Sequence, residues 1–147
     1  MADIVYNRGL YLLGSGGLTW TSDTIKCMLV SASYTPADTH NTVSDVVTYE
    51  LSGTGYTGGF SGSGRHTLTG CTVTEDDTND RVTFDCDDLV WTSIDAGTIA
   101  YLVFYKSNTT DANSSLIMVS DPTNVVTVGG TVTYTIPAAG LFYMEQP

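Results

Sequence analysis

Seven carboxylates crowd residues 75–88: Glu75, Asp76, Asp77, Asp80, Asp85, Asp87 and Asp88. Several carboxylate oxygens delivered by one flexible loop are what a calcium ion needs. The order here lacks both the central glycine and the closing glutamate of an EF-hand loop. Adjacent aspartates on a turn also fail to supply two opposed carboxyl groups for glycoside hydrolysis. The cluster reads instead as a solvated hairpin tip whose charge discourages strand edges from pairing with other chains. His40 and His66 fall in polar stretches, and no Gly-x-Ser-x-Gly elbow accompanies them, so they read as solvated bystanders. Gly53-Thr54-Gly55-Tyr56-Thr57-Gly58 spells GxGxxG, a pattern that holds a dinucleotide only where a helix comes next. The next residues are Gly59-Phe60-Ser61-Gly62-Ser63-Gly64, which cannot start a stable helix. Cys27, Cys71 and Cys86 are odd in number and widely spaced; without a CxxC pair they give no zinc site. They read as free buried thiols, with one disulfide left open. Trp20, Tyr34, Tyr56 and Phe60 lie in loop-like stretches and are the aromatic rings best placed to stack on a sugar. The expectation is no catalytic residue, no metal and no cofactor.

Composition narrows the rest. The chain has 147 residues, 41% of them hydrophobic, which suits one globular domain over 1–147. Sixteen acids against five bases give a net charge of −11. Arg8, Lys26, Arg65, Arg81 and Lys106 are scattered, so neither nucleic acid nor an anionic membrane is an expected partner. No secretion signal or membrane-length stretch is visible, and the chain reads as folded in a cytoplasm.

The elements that must position any site are mostly strands, because threonine, valine, tyrosine and glycine outnumber the usual helix formers. Residues 1–17 read as a short helix with Tyr6, Leu10 and Leu13 on one face, then a glycine turn beginning at Gly14. Residues 24–30 are strongly apolar on both alternating sets, as a strand covered on both faces should be. Residues 46–51 are predicted as a second strand. Residues 52–65 are a glycine- and serine-rich loop, either mobile or a linker-like insertion. Residues 66–74 and 81–86 are predicted to form a hairpin, followed by strands at 88–94 and 98–106. The last of these is the most apolar and should sit centrally. Strands at 116–119, 125–128, 131–136 and 141–144 complete the set, with Gly129-Gly130 as a hairpin turn between two of them. The fold class is all-β: a single-domain antiparallel β-sandwich, jelly-roll-like, with a short N-terminal helix.

One order of segments carries a resemblance. Asn7-Arg8-Gly9-Leu10-Tyr11-Leu12-Leu13-Gly14 is followed by Ser22-Asp23-Thr24-Ile25-Lys26, an apolar strand, and then Tyr34-Thr35-Pro36. A fainter echo runs through Thr72-Val73-Thr74, Val90-Trp91-Thr92 and Ala100 to Lys106. This order resembles a family of small structural proteins of tailed bacteriophages, of the head decoration (cement) type. The glycine-rich stretch at residues 52–64 departs from that pattern. The resemblance implies a β-sandwich whose copies clamp neighbouring capsid subunits on the outer surface of the mature head, after synthesis in the host bacterial cytoplasm. Its implied partners are the major capsid protein and the chain itself, as dimer or trimer. The residues expected at such contacts are Ile4, Val5, Tyr6, Leu10 and Tyr11 of the N-terminal segment, which could equally plug its own sandwich, and Tyr56 and Phe60 of the glycine-rich loop. The alternative function is a tail or fibre module that binds a host-surface glycan through Trp20, Tyr34, Tyr56 or Phe60.

Overall fold

Strand β8 (Tyr101–Lys106) organises the molecule. Both of its alternating sets are apolar, so both faces must be covered. In the structure, a computed structural model describing residues 3–145, β8 is the middle strand of a five-stranded antiparallel sheet. That sheet runs β1 (Ile4–Val5), β9 (Ser115–Ser120), β8, β2 (Ile25–Val30), β3 (His66–Thr67). The register sets Cys27 against Phe104 and Leu29 against Leu102. These four side chains face the larger core cluster, while Met28, Val30, Val103 and Tyr105 face the smaller one on the opposite side.

The larger cluster is closed by a second β layer. It contains a three-stranded ladder of β4 (Thr72–Asp76), β5 (Arg81–Asp85) and β12 (Phe142–Glu145), and a two-stranded ladder of β6 (Leu89–Ile94) and β11 (Gly130–Tyr134). Phe84, Leu89, Trp91, Ile94 and Phe142 supply its inner face. Burying each such side chain contributes roughly 1.5–3 kcal/mol. The smaller cluster is closed by residues 31–50, through Tyr34, Val43 and Val46, together with Tyr6. The result is an all-β sandwich with one short N-terminal helix, α1 (Asn7–Ser15).

Several expectations give way to local physics. Residues 46–51 are not a strand. Two 3-10 turns, Val43–Asp45 and Val47–Tyr49, occupy that region, because Val43 and Val46 recur at the period of three that such a turn needs and both point into the core. Thr42 and Asp45 cap the first turn reciprocally. The expected strand over 66–74 breaks at Gly70, whose φ of 61° is left-handed. Its first part pairs with β2 and its second with β5. No hairpin forms across Gly129-Gly130. Instead β10 (Val125–Val126) pairs with β7 (Thr98–Ile99), and β11 pairs with β6. The Thr127 hydroxyl donates to the Gly97 carbonyl at 2.7 Å and the Gly129 amide to the Ile94 carbonyl at 2.8 Å, fixing this stretch to the preceding turn.

The N-terminal segment also differs from its expectation. Ile4 and Val5 are an edge strand on β9 rather than helix. The helix ends at Gly16, in the left-handed conformation, not at Gly14. Its buried residues are Gly9 and Leu12, whereas Leu10 is 48% exposed. Gly9 sets this rotation: a Cβ there would run into the Ile117 carbonyl of β9, so the helix can approach the sheet only along its glycine.

Candidate interaction site

The turn of α1 around Leu10 and Leu13, the loop after it through Leu18 and Trp20, and Val73 of β4 and Met144 of β12 enclose an open apolar groove of about 520 Å³. Its floor is rigid. Trp20 is 2% exposed and meets Phe84 and Phe142 edge-on, at centroid separations of 5.8 and 5.4 Å. Phe84 and Phe142 stack at 4.5 Å, and the Trp20 indole donates to the Asp85 carbonyl at 2.9 Å. The lip is exposed hydrocarbon: Leu10, Val73 (44%) and Met144 (41%), with Tyr11 (62%) beside Leu10 on the helix under the Arg8 guanidinium. Met144 also borders a second depression, lined by Glu75, Asp77, Asp80 and Glu145 around Arg81, so acidic side chains flank the apolar surface. Scattered exposed apolar residues need no explanation, whereas a cluster around a concave floor is a candidate contact surface.

A second constellation lies inside. Arg65 is 7% exposed. Its Nε and Nη2 donate to the two carboxylate oxygens of Glu50 at 2.8 and 2.7 Å, and its Nη1 and Nη2 to Asp111 at 2.6 and 3.2 Å. The Tyr56 hydroxyl donates to Glu50 at 2.9 Å while accepting the Leu29 amide, and the Gly59 amide donates to the other Glu50 oxygen at 2.8 Å. Burial pulls the guanidinium pKa down, but the bonds to Glu50 and then Asp111 outweigh it and hold the group charged. Tyr56 is pushed far up by burial and then by the Glu50 charge, so it stays a neutral donor. No side-chain polar atom buried among the described residues lacks a partner. This is a clamp on the glycine-rich loop, which is therefore folded rather than a mobile or linker-like insertion.

The expected contact residues divide accordingly. Leu10, Tyr11 and Phe60 (42%) are exposed. Ile4 and Val5 are half-buried and committed to β9. Tyr6 and Tyr56 are wholly buried and cannot be contact residues; the Tyr6 hydroxyl bonds that of Tyr34 at 2.9 Å, which in turn reaches His40 Nδ1 at 2.8 Å. His40 is therefore part of an internal chain of bonds rather than a solvated bystander. His66 lies on β3, its ring 4.7 Å from that of Trp91.

The acidic stretch forms a hairpin tip whose carboxylates are used separately. Asp76 binds Asn79 and Arg81, Asp87 binds the Thr69 hydroxyl, and Asp88 accepts the Ile136 amide. Among the described residues no three His, Cys, Asp or Glu side chains gather as a metal-holding group. Gly53-Thr54-Gly55-Tyr56 is a tight turn, closed by the Gly53 amide on the Tyr56 carbonyl at 2.8 Å, with no helix behind it. Motif and periodicity do not reveal the Arg65 clamp. Its one signal in the sequence is a lone base at the end of a glycine run, and its acidic partners are 15 and 46 residues away.

The fold is thus an all-β sandwich bearing an apolar groove beside its N-terminal helix. Comparison with family models, with curated proteins and with solved structures finds no match.

Proposed function

We propose that the chain is a non-enzymatic structural protein of a tailed-bacteriophage virion. It binds the outside of the capsid through the α1–β4–β12 groove and stabilises the head. The observation that carries this reading is the groove itself: exposed Leu10, Val73 and Met144 over a rigid aromatic floor, next to the segment whose residues resemble the decoration family. A ligand that binds only the assembled shell shifts the equilibrium toward that shell. Many identical weak contacts acting together make it hard to burst. A net charge of −11 suits a surface facing solvent better than one facing packed DNA. The major capsid protein is the partner. Binding of a host glycan has less support, because Trp20, Tyr34 and Tyr56 are at most 2% exposed and only Phe60 of the four rings is open to solvent.

Immunogold labelling of virions with antibody to this chain tests the proposal. Label over the whole head is the expected result. Label confined to the tail, or absent from every particle, overturns it.

A further inference from the structure

Cys71 and Cys86 each lie one residue beyond the end of the β4–β5 ladder. The outermost pair is Thr72 with Asp85, and the same register carried one residue further from the turn brings Cys71 against Cys86. Beyond Cys71 and Cys86 the strands stay joined, with the register slipping by one residue at left-handed Gly70: the Asp87 amide donates to the Thr69 carbonyl at 2.9 Å, and the Thr69 hydroxyl donates to the Asp87 carboxylate at 2.9 Å. Directly opposed residues of an antiparallel pair share a face, with Cα atoms about 4.5–5.5 Å apart. That lies within the roughly 4.4–6.8 Å a disulfide spans. The shared face is the inner one, since Cys86 belongs to the larger core cluster and Cys71 packs against it. Cys71 is part-exposed and open to small reagents. The third thiol, Cys27, is fully buried on β2 of the facing layer, in the same core cluster as Cys86 and within electrostatic reach of it, so a link through Cys27 is the competing outcome that the test must separate.

We propose that Cys71 and Cys86 are a dithiol that closes into a cross-strand disulfide under oxidising conditions. The co-reactant is a low-molecular-weight disulfide such as oxidised glutathione. The Cys71 thiolate attacks one of its sulfurs, forming a mixed disulfide and expelling one glutathione thiolate. The Cys86 thiolate then attacks the Cys71 sulfur, forming the internal bond and expelling the second. Two cysteine thiols lose two electrons and two protons, and the glutathione disulfide gains both. Burial raises the Cys71 thiol, as do Asp87 and Asp85. Burial and then Cys71 push Cys86 up to about 12. Closure is therefore slow at neutral pH and accelerates as pH rises. The bond ties the root of the hairpin that carries Val73 and Phe84 into the groove, whatever partner the groove takes.

The test is to incubate the full chain with oxidised glutathione, then measure intact mass, map the peptides and record thermal unfolding. Expected are the loss of two hydrogens, a peptide linking Cys71 to Cys86, and a midpoint raised by roughly 5–10 °C and restored by dithiothreitol. Cys27→Ser should keep the bond, and Cys71→Ser should abolish it. A stable glutathione adduct on Cys71 alone, a link through Cys27, or covalent dimers overturn the proposal. Should a variant fail to fold, the wild-type peptide map decides.

Discussion

Two regions of this chain invert the usual distribution of polarity, in opposite ways. Around Arg65 three formal charges are held inside, and every donor and acceptor of the group is matched. Along the α1–β4–β12 groove, leucine, valine and methionine are left outside with nothing over them. Buried charge that is fully partnered makes a rigid loop. Exposed hydrocarbon over a rigid floor makes a surface that gains free energy only when something else covers it. The first region is structural, and the second is the surface where we propose the contact.

Removing the cation should give the largest effect. Arg65→Met strands Glu50 and Asp111 without a counter-charge, and breaking a buried pair from one side costs about 3–5 kcal/mol. Urea unfolding should show it as a lower midpoint. The triple variant Glu50→Gln/Arg65→Met/Asp111→Asn should lose less than Arg65→Met alone, because no uncompensated charge remains. A triple variant that is worse than the single one would mean the clamp contributes net attraction rather than matched desolvation.

Next come two glycines of one helix that should respond with opposite signs. Alanine in a helix normally gains up to about 1 kcal/mol over glycine. Gly14→Ala meets nothing within 4 Å and should show part of that gain. Gly9→Ala drives a methyl group into the β9 backbone, where overpacking costs about 1–3 kcal/mol, so it should destabilise on balance. Thermal midpoints of the two variants moving in the same direction would show that the helix is free to shift on β9, and the groove wall with it.

His66 offers a smaller, pH-dependent test. Burial lowers its pKa from the ordinary value of 6.5. The unfolded chain then binds a proton that the folded one resists, so stability is complete above about pH 6.5 and falls as pH drops toward the depressed value. His66→Gln should flatten this step while leaving the acid loss below about pH 4 intact. That later loss belongs to carboxylates such as Asp45, held low chiefly by the Thr42 amide. An unchanged profile for the variant would place the titration elsewhere.

How much of the molecule is legible in its sequence differs between the two regions for a physical reason. Strands β2, β8 and β9 are written as short apolar runs covered on both faces, and β8 occupies the central position its composition demands. What periodicity does not carry is contact across a distance. Tyr56 reads as an exposed loop aromatic because its neighbours are glycine and threonine, yet its hydroxyl is fixed by Leu29 and Glu50. Trp20 reads the same way and is the floor of the groove. In helix α1 the spacing of Leu10 and Leu13 suggests the buried face, but the absence of a side chain at Gly9 decides it. A pattern that counts apolar residues cannot register a contact made by a missing one. The groove exists because that rotation leaves Leu10 outside.

The smallest effect on folding should accompany the largest on assembly. Leu10→Ser and Met144→Ser remove exposed hydrocarbon, and substitutions of that kind change stability by about 0.5 kcal/mol or less. If the groove is the capsid contact, each should weaken binding to capsids lacking this chain by roughly tenfold or more, as truncation of a central interface residue does. Phe60→Ser is the matched control, since Phe60 is comparably exposed but sits on the clamped glycine-rich loop. Sedimentation of each variant with such capsids at several concentrations separates the cases. Binding lost with Leu10 and Met144 but kept without Phe60 locates the contact in the groove. The reverse pattern would move it to the loop, and the Arg65 clamp would then be the device that presents a contact rather than one that merely holds the fold.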